Sequence, residues 1–148
     1  MNTPSTSESF SGPFYGPLLA QVALTMLVWC WMYVTRLASM IRNRVGIEDL
    51  RTDAGYEKIR DAENPSDNLI NLFEIPILFY TLMVILIHTG NTDESLLRAA
   101  WIFVGGRGVH SLIHCTINVI TLRFLAYFVS TAALFWMWFR VGSMIMRD

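Results

Sequence analysis

The chain has 148 residues, 53% of them hydrophobic and 16% charged, with a formal net charge of -1 and a mean hydropathy of +0.42. Soluble domains carry about a quarter charged residues, so a water-soluble globule fits poorly, and intrinsic disorder and a basic nucleic-acid binder are excluded. The length suits one domain, and Cys30 and Cys115, both in apolar stretches, imply neither a disulfide framework nor a metal cage.

Residues 1–15 contain no Lys or Arg and are rich in Ser, Thr, Pro and Gly, which reads as a mobile tail rather than a signal peptide. The apolar residues then gather into four spans, at about 17–40, 67–89, 94–119 and 122–146. A hydrocarbon core about 30 Å thick needs roughly 20 helical residues, and backbone groups in lipid must bond internally. The expected fold is therefore all-α, a single four-span membrane domain forming a four-helix bundle. Pro17 suits a first helical turn, Asn64-Pro65-Ser66-Asp67 supplies cap candidates, and Asn91 with Glu94 has capping-box spacing. The short break around Asn118 to Arg123 makes the last two spans a tight antiparallel pair, and the five tryptophans suit interfacial belts and lipid-facing surface.

The polar loop 41–66 carries Arg42, Arg44, Arg51, Lys58 and Arg60 among seven acidic residues, reckoned through Asp67, whereas the other side has chiefly Arg98 and Arg147. Basic residues near span ends set orientation. The loop is thus expected in the cytoplasm and both termini on the opposite side, in a bacterial inner membrane or an organelle membrane. It reads as a solvated, partly helical cap over the bundle, with a partner-binding loop as the alternative.

Charges inside a membrane are costly and face protein or a cavity, which makes their positions informative. Asn71 and Glu74 lie three residues apart in the second span, on one helical face. Arg107, His110, His114 and Asn118 fall within roughly a quarter of the third helix's circumference, and Arg123, Tyr127 and Ser130 share a face of the fourth. All lie towards the cytoplasmic half except Arg107, near the midplane. Glu74 and Arg107 are expected to form a structural ion pair that lowers the desolvation cost of each. Arg36 and Arg123 either line an inner cavity, where a guanidinium would bind an anion, or snorkel to lipid headgroups. His110 and His114 have the i, i+4 spacing of metal ligands but lack a supporting motif, so interhelical hydrogen bonding is expected and no metal. Gly105, Gly106 and Gly108 lack the setting of a phosphate loop and are expected to permit close helix packing around Arg107.

Three patches carry a resemblance to a known family: Asn71-Leu72-Phe73-Glu74-Ile75-Pro76, Gly106-Arg107-Gly108-Val109-His110-Ser111, and Leu122-Arg123-Phe124-Leu125-Ala126-Tyr127. The chain resembles the MAPEG family, the membrane-associated proteins of eicosanoid and glutathione metabolism, as a divergent member. The resemblance implies a homotrimer of four-helix subunits with sites between neighbours, in which glutathione attacks or reduces lipophilic electrophiles. It implies catalytic roles for Arg123, as the thiolate-stabilising arginine, and for Tyr127, an aromatic position near the thiol. Arg36, Asn71, Glu74, His110, His114 and Ser130 become candidate glutathione-binding residues. The chain departs from the family pattern in carrying Asp67 and Ile70 where two helix-two arginines belong, and His114 in place of a tyrosine. Two readings follow: a glutathione transferase or peroxidase, or a non-catalytic lipid-binding or accessory membrane subunit on the same scaffold, with a further membrane partner.

Overall fold

The computed structural model describes residues 12–147, so most of the expected N-terminal tail lies outside it. Among the described residues every regular element is helical. Helix α1 spans Tyr15–Asn43 and stops at Arg44, whose φ of 52° is left-handed. That conformation lets the Val45 N–H reach back to the Met40 carbonyl at 3.0 Å, a common helix ending.

The connection that follows is not loose. It holds single-turn 3-10 helices at Asp49–Arg51 and Arg60–Ala62 around α2, Asp53–Glu57. Thr52 caps α2, its hydroxyl accepting from the Gly55 N–H at 3.2 Å. Gly55 is required here, because a Cβ would collide with the Asp49 carbonyl. Val45 and Ile59 are buried, and Asn43 donates to the Lys58 carbonyl at 2.7 Å. The segment therefore packs on the end of α1 as a partly helical cap.

The expected single helix at 67–89 is two helices: α3, Glu63–Phe73, and α4, Ile75–His88, bent by 40° at Glu74, whose φ and ψ are -90° and -94°. Pro76 supplies the physical reason. It has no N–H to donate to Leu72, and its ring would clash with that carbonyl in a continuous helix. The first turn of a new helix accepts it, so α3 stops and α4 restarts with Pro76 in its first turn.

Helix α5, Glu94–Cys115, begins at Asp93, whose carboxylate accepts from the backbone N–H of Ser95 at 2.7 Å and of Leu96 at 3.4 Å. The capping box expected at Asn91 and Glu94 does not form. Asn91 instead accepts from the Asp93 N–H at 2.8 Å and so orients the true cap. Helix α5 also ends before Asn118, which sits with a φ of 47° in the short link to α6, Ile120–Ile145.

Contacts between elements give the packing order. Gly106 faces Ser130 and Asp93 pairs with Arg140, so α5 and α6 run antiparallel. Asn71 meets Arg107 and Phe79 stacks on Phe103 with ring centroids 4.3 Å apart, so the α3–α4 pair also runs antiparallel to α5. Thr25 meets Tyr80, placing α1 against the same pair. The buried apolar core, Phe79, Leu82, Met83, Leu86, Leu96, Ala100, Phe103, Leu134 and Met137, fills the half away from the capped end. The other half holds buried Asn68, Arg107, His110, Ser111 and His114 beside Met32 and Leu72.

Helices α1 and α6 are each long and apolar enough to cross a membrane, and the bent α3–α4 pair makes a third span if counted as one. Helix α5 does not join them, because Arg107, His110, Ser111 and His114 lower its hydropathy while lying buried against neighbours. The outward faces are strongly apolar: Leu27 is 68% exposed, Phe128 59% and Phe139 77%. Trp29, Trp31, Trp101 and Trp136 also lie on that surface, while Trp138 packs partly buried against the core. Such surfaces suit lipid and not water, and the molecule is an all-helical membrane protein.

Candidate functional site

The site forms where α3, α5 and α6 meet beneath the capped end. Close approach of α5 and α6 depends on Gly106, where a Cβ would lie 2.9 Å from the Ser130 Cβ and 3.3 Å from the Ala126 carbonyl oxygen. Gly105 and Gly108 do not share that task, since a Cβ on either meets nothing within 4 Å. The tight α5–α6 seam sets His110 beside Tyr127, with ring centroids 5.6 Å apart.

A cavity of about 200 Å³ opens at this point, lined by Asn71, His110, Ile120, Arg123, Phe124 and Tyr127. Four of the residues singled out in the sequence thus share one wall set: Asn71, His110, Arg123 and Tyr127. The His110 Nδ1 lies 3.0 Å from the Arg123 carbonyl oxygen. A carbonyl only accepts, so Nδ1 carries the proton and donates, and Nε2 is directed elsewhere. Nε2 is buried with no hydrogen-bond partner.

Arg123 is oriented by neutral groups. Its Nη1 donates to the Asn118 Oδ1 at 2.8 Å, and Asn118 donates through Nδ2 to the Asn64 Oδ1 at 2.9 Å. No carboxylate among the described residues pairs with Arg123.

Arg107 departs from expectation. It is fully buried, and its Nη2 donates to the Asn71 carbonyl at 2.6 Å instead of pairing with Glu74. The helix break is the cause. In a continuous helix the Asn71 carbonyl would accept from residue 75; with α3 ending at Phe73, that carbonyl is left for the guanidinium. The same break turns Glu74 outward, where it is exposed. Arg107 also lies over the Tyr127 ring, 5.2 Å from its centroid, a cation–π contact. Its Nε and Nη1 are buried without partners.

The remaining candidates lie outside the cavity lining. Arg36 donates to the Tyr56 hydroxyl at 2.7 Å and lies over that ring, which ties the cap segment to α1. Ser130 is buried in the Gly106 seam and donates to the Tyr127 carbonyl at 2.8 Å. His114 stands edge-on to His110 at 5.5 Å, one turn further along α5. Sequence reasoning missed Asn64 and Asn68. Asn68 is buried, donating to the Cys115 sulfur at 3.4 Å and accepting from Ser111 at 3.4 Å. The spacing of Asn64, Asn68 and Asn71 at i, i+4 and i+7 was the available signal.

Chemically, the arrangement offers an oriented guanidinium, a phenol backed by a buried cation, and an unpartnered imidazole nitrogen, with Ile120 and Phe124 beside them. Comparison with curated proteins and with solved structures returned no match. The profile of one family does match, over residues 14–143, nearly the whole sequence. With that coverage, the chain belongs to the MAPEG family.

Proposed function

We propose that the protein is a glutathione-dependent transferase or peroxidase acting on lipophilic electrophiles. It would span the membrane four times, with the capped end in the cytoplasm, and assemble as a homotrimer. The observation that carries this reading is the convergence of Asn71, His110, Arg123 and Tyr127 on one cavity.

The side chains fit the thiol end of glutathione. Arg123 has no carboxylate partner among the described residues, and the neighbouring apolar residues Ile120 and Phe124 suit an electrophile arriving from lipid. Bound glutathione would supply the sulfur nucleophile. The protein's part is electrostatic: a cation within about 4–6 Å lowers a thiol pKa by about 1–3 units, raising its ionisation constant about 10- to 1,000-fold, and the thiolate fraction climbs until it saturates once the pKa falls below the working pH. Arg123 would supply that charge, Tyr127 would donate a hydrogen bond to the sulfur, and Asn71 and His110 would orient the peptide. Glu74, Arg36, His114 and Ser130 would act from outside the cavity.

The test is calorimetric titration of glutathione into detergent-purified protein, with turnover of a chlorodinitrobenzene-type electrophile and of a lipid hydroperoxide. Saturable binding, with turnover falling at least tenfold in Arg123→Ala, is the expected result. Full activity in that variant would refute the mechanism.

One observation favours a second reading, a non-catalytic lipid-binding or accessory subunit. Asp67 and Ile70 are exposed on α3, leaving an acidic and an apolar side chain where carboxylate clamps are expected. Absence of glutathione binding together with a co-purifying phospholipid would select that alternative.

A further inference from the structure

We infer that Asn118, itself held by Asn64, is a positioning residue that aims the Arg123 guanidinium into the cavity while leaving its charge intact. The inference deepens the reading above and rests on it for its catalytic consequence.

The argument starts in the backbone. Asn118 occupies the left-handed region, with a φ of 47°, which asparagine tolerates better than other side-chain-bearing residues. Its N–H donates to the Ile113 carbonyl at 2.7 Å, closing α5 tightly. From this turn the side chain meets both Arg123 on α6 and Asn64 in the first turn of α3.

The chemistry of the three groups determines the direction of the relay. A guanidinium only donates, so the amide oxygen of Asn118 must face Arg123 and its nitrogen must face away. The Asn64 oxygen then accepts from that nitrogen at 2.9 Å. Each amide orientation follows from the last, and no member is left to rotate freely.

A carboxylate would hold an arginine more strongly but would offset its charge. An amide oxygen orients Arg123 without that loss, and the guanidinium's other N–H donors remain available to the cavity. Asn64 also lies two residues after the Arg60–Ala62 turn, so the relay joins the cap segment to the cavity wall.

The test uses the full-length protein with Asn118→Gly, which keeps the left-handed turn, Asn118→Asp, and Asn64→Ala. The ligand-free readout is the arginine side-chain N–H spectrum by NMR, with Arg123 assigned through Arg123→Lys. The second readout is the pH dependence of turnover, supported by the thiolate absorbance of added glutathione. Arg107, His110, His114 and Tyr127, titratable groups around Arg123, are unchanged in every variant.

Asn118→Gly and Asn64→Ala are expected to weaken the protected Arg123 resonance and move the turnover profile up by about one pH unit, about a tenfold loss of rate on its acidic limb. Asn118→Asp is expected to keep the resonance yet show the same upward movement, because its carboxylate offsets the charge. A wild-type Arg123 resonance and pH profile in Asn118→Gly and Asn64→Ala would overturn the inference. If wild-type protein shows no glutathione binding while Asn118→Gly still loses the resonance, the functional reading fails and the positioning role stands.

Discussion

The three glycines around Arg107 look alike in sequence but should respond differently to one added methyl group. Alanine at Gly106 places a Cβ 2.9 Å from the Ser130 Cβ, 3.3 Å from the Ala126 carbonyl oxygen and 3.4 Å from the Ser130 Cα. Two of these atoms are backbone, so the strain is relieved only by moving α5 and α6 apart. Overpacking of this kind costs about 1–3 kcal/mol. Alanine also gains about 1 kcal/mol of helix propensity over glycine, but Gly105→Ala gains the same and meets nothing within 4 Å. The difference between the two variants is therefore the packing cost itself. At about 3 °C per kcal/mol for a chain of this size, Gly106→Ala should melt about 3–9 °C below Gly105→Ala. Thermal unfolding of detergent-purified protein, followed by circular dichroism, measures this. Adding Ser130→Gly removes the closest contact and should recover much of the loss. Equal melting temperatures for Gly105→Ala and Gly106→Ala would refute the reading of a close α5–α6 seam.

The N-cap of α5 makes a pH prediction. The Ser95 hydroxyl, then Arg140, stabilise the Asp93 carboxylate and hold it down at about 2. A depressed carboxylate contributes stability that is complete above its unfolded value of 3.8 and is lost as pH falls towards 2. Asp93→Asn should flatten this acid limb while keeping the cap, whereas Asp93→Ala should also lose about 0.5–2 kcal/mol of capping. Acid titration of the melting temperature distinguishes the two. At the cap segment, Tyr56→Phe deletes the hydroxyl that accepts from Arg36 and should speed proteolysis within residues 45–62 while leaving glutathione affinity unchanged. Unchanged cleavage rates would show that this exposed contact does not hold the segment down. For the site, Arg123→Ala should cost at least tenfold in turnover, as set out above.

Much of the architecture is legible in sequence because it rests on local quantities. Apolar runs of membrane-spanning length located α1 and α6 closely, and helical spacing placed His110 near Arg107 and Tyr127 near Arg123. The converging residues Asn71, His110, Arg123 and Tyr127 could be named before any coordinates. Glu74 was harder to place: spacing along an unbroken helix put it beside Asn71, and the backbone break removed it from that face. Sequence leaves Arg36 open between a cavity cation and a snorkelling one, and the cap segment brings Tyr56 to it instead.

What the sequence by itself determined is the solvent and the element type, since composition and period depend only on neighbours along the chain. Tertiary structure decided which polar groups satisfy one another. The Asn71 carbonyl becomes available to Arg107 only where α3 stops, and Gly106 differs from Gly105 only because α6 lies against it. Asn118 holds Arg123 because a left-handed turn directs its amide between two other helices. Each depends on a carbonyl, methylene or amide far away in sequence, and no local pattern encodes such a partner.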